Sequence, residues 1–145
     1  MPVNDRQLAV LRAQLAGRLD EHKKLLAQLD WTVDGTGYAA LVDAAFAEAV
    51  ERRFGAQASA GDVASYVADV RARTESGAKS VDPDTAERLI GAVLGQSDIE
   101  DINPRTAITG RQYLLVAMTA DAGYDEAALD QFLLAASKLA DQWLT

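Results

Sequence analysis

Cysteine is absent from the 145 residues, and histidine occurs once. The first absence excludes disulfides, thiolate metal sites and a cysteine nucleophile. The second bears on both triads and metal centres. A triad needs an imidazole beside a nucleophile, and a metal site draws on several His, Cys or carboxylate ligands. His22 instead falls within a run of leucines, where a packed or interface histidine is the simpler reading. Gly-x-Ser-x-Gly, His-Glu-x-x-His, the dinucleotide fingerprint and the paired Glu-x-x-His of di-iron bundles are all missing. No apolar run is long enough to cross a bilayer, and the N-terminus lacks the pattern of a signal peptide. The expectation is a cytoplasmic chain with no cofactor, no metal and no membrane partner.

Positive charge is also scarce. Fourteen basic residues face 22 acidic ones, for a net charge of −8. The imbalance is greatest over residues 96–145, with three basic and eight acidic side chains. Nucleic-acid binders need a basic face to displace counterions from phosphates. Only Lys23-Lys24 and Arg52-Arg53 adjoin one another here, so nucleic acid is not an expected partner. A basic protein partner is compatible with this charge, as is a role in solubility alone.

What is present is helical periodicity. The apolar run Tyr113–Met118 lies inside a helix read over Arg105–Ala122, with Asn103 as N-cap, Pro104 in the first turn and Gly123 as the stop. A helix apolar on all sides belongs inside a bundle. Ile108, Leu115 and Ala122 recur at seven-residue spacing along it. Arg111 shares a direction with Ala107, Leu114 and Met118. It either reaches water from the bundle end or forms a buried ion pair that anchors a ligand or partner.

Asn4 caps a helix expected to run unbroken to Leu29, with Leu8, Leu11, Leu15, Leu19, His22 and Leu26 on one stripe. These six are the candidate interface, either within the domain or in a dimer seam. Trp31 to Gly37 reads as a turn, its Asp34-Gly35-Thr36-Gly37 a weak candidate for holding an anion before a helix over Tyr38–Phe54. Ser59 with Asp62 caps a helix carrying Val63, Tyr66, Val67 and Val70. Residues 74–81 read as a mobile loop. Asp82-Pro83 opens a helix that Gly95 ends, and Ser97–Glu100 matches a capping box for a short helical turn. Asp98, Glu100, Asp101 and Asn103 read as capping and solvated oxygens before a cation site. Asp125 caps the last helix, buried along Leu129, Phe132, Leu133, Ala136, Leu139, Ala140 and Trp143. Tyr124 is placed to staple onto Leu129.

The expected fold is therefore all-α: a single-domain bundle of about five longer helices plus a short turn. The three-residue link at 123–125 makes its last two helices an antiparallel hairpin. No catalytic or metal-binding set emerges. The functional expectation is a non-catalytic protein–protein interaction module, with a homodimer as one form. The alternative is a small-molecule-binding bundle with a pocket near Arg111. The identity of partner or ligand is not encoded in these patterns.

Overall fold

The computed structural model describes residues 2–55 and 57–145. Among them 79% are helical and none lies in a strand. There are eight helices: α1 (Asp5–Leu15), α2 (Leu19–Gln28), α3 (Trp31–Phe54), α4 (Ala60–Ala72), α5 (Glu75–Ser80), α6 (Pro83–Val93), α7 (Pro104–Ala122) and α8 (Glu126–Leu144). No helix among the described residues is long and apolar enough to cross a membrane. Contacts divide the chain into two compact units, Met1–Glu48 with Ala122–Thr145, and Ala49–Asp121.

In the first unit the expected helix from Asn4 to Leu29 is two helices. Gly17, at φ +79°, ends α1. The Gly17 N–H donates to the Gln14 carbonyl and the Arg18 N–H to the Ala13 carbonyl, the paired bonds that close a helix in a left-handed residue. The leucine stripe therefore has no continuous face. Leu11 is fully buried, while Leu8, Leu15, His22 and Leu26 are half-buried. Leu19, just beyond the break, is 58% exposed.

The second departure is α3, which begins at Trp31 and not at Tyr38, so that the Asp-Gly-Thr-Gly stretch is helical. A network with α1 explains it. The Asn4 side chain accepts from the Gln7 N–H at 3.0 Å, and the Gln7 side chain accepts from the Asn4 N–H at 2.8 Å, which caps α1 reciprocally. The same two side chains then reach α3. Asn4 Nδ2 donates to Asp34 Oδ1 at 3.0 Å, and Gln7 Nε2 to the Asp34 carbonyl at 2.9 Å. Arg6 approaches Asp34 Oδ1 at 3.3 Å, and the Asp30 N–H donates to Oδ2. Gly37 makes room for Gln7, since a Cβ there would lie 2.5 Å from Gln7 Nε2. The glycines that signal a turn are here a place where two helices approach.

The second unit packs Val63, Tyr66, Val67 and Val70 of α4 with Ala86, Leu89 and Ile90 of α6 among its buried side chains. The Ser59–Asp62 capping box forms as expected. Residues 113–118 of α7 include none that is exposed, in keeping with an interior helix, but Ile108 is 55% exposed. Gly110 lets α7 approach α6, since a Cβ would meet Leu89 Cδ1 at 3.0 Å.

The expected loop at 74–81 holds α5. Thr74 accepts from the Gly77 N–H at 2.8 Å, and Arg71 donates to the Val81 and Ala78 carbonyls at 2.7 and 3.0 Å. A side chain from the preceding helix thus satisfies carbonyls that a short helix leaves open. The expected turn after Ser97 is not helical. The Ser97 hydroxyl donates to the Arg88 carbonyl at 3.0 Å, so it is not free to cap.

In α8 the expected buried residues Leu129, Phe132, Leu133, Ala136 and Ala140 are buried, whereas Leu139 is half-buried and Trp143 is 52% exposed. Tyr124 stacks on Phe132 with ring centroids 5.5 Å apart.

Two predictions follow from the Asp34 network. Ala for Gly within a helix normally stabilises it, but Gly37→Ala drives a Cβ into the doubly hydrogen-bonded Gln7 amide. We expect it to lower stability by about 1 to 3 kcal/mol in urea denaturation. The loss should shrink in a Gln7→Ala background, and an equal loss there would show that Gln7 is not the cause. The second concerns acid. The Asn4 hydrogen bond pulls the Asp34 carboxyl below its ordinary range; burial opposes this, and Arg6 and the Asp30 N–H add to the lowering. With the folded value below the unfolded one of about 3.9, the contribution is complete above that pH and is lost as pH falls through the folded value. Asp34→Asn should flatten the decline of unfolding free energy on acidification, and an unchanged slope would remove Asp34 from the cause.

Candidate functional site

Features that could carry function include a groove in the first unit and two clefts in the second. The groove lies between α1 and α8, which run antiparallel. Val3 N–H donates to Asp141 at 2.7 Å, Arg12 pairs with Asp130 at 2.7 Å, and Arg18 pairs with Glu126 at 3.3 Å. Ascending residue numbers on one helix meet descending numbers on the other. Each wall is a two-turn stripe at helical spacing: Asp5, Leu8, Ala9 and Arg12 on α1, and Asp130, Leu133, Leu134 and Ser137 on α8. Between them lies an open groove of about 340 Å³. Leu134 is 54% exposed, next in sequence to the buried Leu133.

In the second unit, a cleft of about 350 Å³ is lined by Arg53, Phe54, Asp62, Tyr66 and Asp69 among others. Its residues are largely engaged with one another. Arg53 lies over the Tyr66 and Phe54 rings at 4.7 and 5.0 Å, and those rings meet edge to face at 5.6 Å. Tyr66 donates to Asp121 at 2.9 Å, and Arg73 pairs with Asp121 and Asp69. Burial, then the Asp121 carboxylate, pushes the Tyr66 phenol up, and Arg73 draws Asp121 down. A second cleft of about 200 Å³ includes Arg88, Gly91, Gln96 and Ser97.

Comparison with protein-family models, with curated proteins and with solved structures finds no match.

The structure disperses the candidate interface. Leu8 lines the groove, Leu11 is core, and Leu15, Leu19, His22 and Leu26 are not among the lining residues. A His22 ring nitrogen sits 2.8 Å from the Val10 carbonyl, a contact in which the ring donates. Arg111 is half-buried and already engaged. Asp34 is 1% exposed and filled by its helix partners, so the Asp34–Gly37 stretch offers an anion a carboxylate and not a cradle. Asp98 and Asp101 both accept from Arg88, the cation their oxygens hold. Among the described residues no group of three His, Asp or Glu side chains is arranged for a metal ion.

Leu134 was not among the expected contact residues. A signal existed: it lies out of phase with Leu129, Phe132, Leu133 and Ala136, an extra leucine where a polar residue fits the pattern. Asp5, Ala9 and Asp130 carry no such signal, since their importance comes from the pairing of α1 with α8.

The tryptophans and tyrosines do not share one site. Trp31 and Trp143 are exposed, Tyr113 and Tyr124 half-buried, and Tyr38 and Tyr66 buried. The two buried tyrosines differ in one respect. The Tyr66 hydroxyl has Asp121, whereas the Tyr38 hydroxyl has no hydrogen-bond partner among the described residues and burial pushes its pKa up to about 12. Removing an unsatisfied polar group relieves a desolvation cost, and removing a satisfied one forfeits a bond. Tyr38→Phe should raise stability by about 1 kcal/mol and Tyr66→Phe lower it by about 1 to 2 kcal/mol. Urea midpoints moving in the same direction would contradict this assignment.

Proposed function

We propose that the chain is a non-catalytic module acting through protein–protein contact, with the groove between α1 and α8 as its contact surface. Leu134 is the observation that carries this reading. A single exposed leucine is ordinary on a protein surface. One that stands in a groove walled by two helix stripes, beside Leu8, Ala9 and Leu133, has the form used in helix-in-groove recognition. Covering its exposed half contributes only about 1 kcal/mol, so a partner has to use the length of the groove.

The ionisable clusters support the non-catalytic side of the reading. Asp34, Asp121 and Arg88 are each closed on side chains or main-chain groups of this chain. Asp34 holds α1 to α3, Asp121 links Tyr66 to Arg73, and Arg88 ties residues 98–101 to α6. A homodimer would use the same groove, with a second copy as occupant.

The test is a photo-crosslinking amino acid at position 134, used in extract of the native host, with the same group at the exposed Glu51 position as control. A discrete adduct from position 134 only is the expected result. No adduct, or the same adducts from both positions, would overturn the reading.

A further inference from the structure

We propose that the occupant of the groove between α1 and α8 is an amphipathic helix of a basic partner protein, an inference that rests on the groove being the contact surface. The spacing of the walls argues for a helix. Both repeat at i, i+3, i+4 and i+7, so the groove is about 10 Å long and takes two helical turns. With Arg12 opposite Asp130, Leu8 and Ala9 stand across from Leu134 and Leu133, so an amphipathic guest seats its apolar face among these four, with Asp5 and Asp130 toward the two ends of the groove.

The rim argues for a basic guest. Asp5 and Asp130 both line the groove and are exposed. Asp5 has no side-chain partner among the described residues. Among the described residues Arg12 is the one lining cation, and it is held by Asp130 at 2.7 Å. Glu21 and Glu126 lie near the same end and pair with Arg18 at 4.0 and 3.3 Å. Four acids thus face two bases, and the whole chain carries −8. A second copy would bring its own acid surplus to this rim, whereas Lys or Arg flanking the guest's apolar stripe would offset it.

The test uses the full chain and two synthetic helical peptides of about 14 residues. Both carry leucines at i, i+4 and i+7; one is flanked by lysines and the other by glutamates. Fluorescence anisotropy is read at low and physiological ionic strength. The lysine peptide should bind about tenfold tighter than the glutamate peptide and lose affinity with salt. Leu134→Asp should abolish binding. Asp5→Lys, which breaks no side-chain hydrogen bond or ion pair among the described residues, should weaken the lysine peptide and strengthen the glutamate one. Equal binding of the two peptides, no binding of either, or binding indifferent to Leu134→Asp would overturn the proposal. Self-association in sedimentation that Leu134→Asp removes would also overturn it, while leaving the groove as the contact surface. If neither peptide binds and position 134 yields no adduct, both readings fall.

Discussion

The polar clasp of Asn4, Gln7 and Asp34 is the constraint on which the first unit depends. Two short side chains act twice: each caps α1 and each donates to α3. Capping alone would stabilise α1 as an isolated segment but leave its position open. Donation to Asp34 specifies where α1 begins relative to α3. Val3, which donates to Asp141, ties the same end to α8. A buried carboxylate and a buried amide are costly unless every partner is in place, so the arrangement tolerates little displacement. The groove exists because α1 is held at that position, with its Asp5–Arg12 stripe facing Asp130–Ser137.

The clasp also accounts for the sequence feature that misleads most. Glycine pairs with an aspartate signal turns when only local preferences are weighed. Gly37 instead answers a tertiary demand, the space for Gln7, and the cost of glycine in a helix is borne by the hydrogen bonds it admits. Gly77 and Gly110 follow the same logic in the second unit. A Cβ at the first would meet the Tyr113 hydroxyl at 2.7 Å, and at the second Leu89 at 3.0 Å. Gly17, Gly55, Gly95 and Gly123 have positive φ and end helices. Nothing in a single sequence separates the two groups, except that enders follow an apolar stripe that stops.

That division marks how far the fold is legible from the residues. The caps at Asn4, Ser59, Asp82, Asn103 and Asp125 are local chemistry, and each is where the pattern places it. The apolar stripes of α4 and α8 are periodic and largely buried as read. The failures are where a distant side chain takes over a local group. Arg71 reaching Ala78 and Val81 makes a helix of an apparent loop, and Arg88 drawing in Ser97 and Asp98 unmakes a capping box. The break at Gly17 is a different failure. There the period of leucine outweighed one glycine, although a left-handed residue ends a helix whatever the stripe does next.

The candidate site was legible only in fragments, for a physical reason. A core position is marked by periodicity within one helix, but a groove is a relation between two, and its members need not look alike. Leu8 belongs to the leucine stripe; Asp5 and Asp130 look like ordinary surface acids until α1 and α8 lie antiparallel. Leu134 is the exception, an apolar residue at a polar phase. Such a residue adds apolar surface without contributing to the core, and on the proposed reading a partner covers it. The acid rim then narrows what can do so. A purely apolar guest would leave Asp5 and Asp130 partly desolvated and unpaired, whereas a guest with flanking cations pairs them at the edge, where screening keeps each pair weak but the sign still selects. Affinity on this surface would come from leucine, and choice of partner from charge.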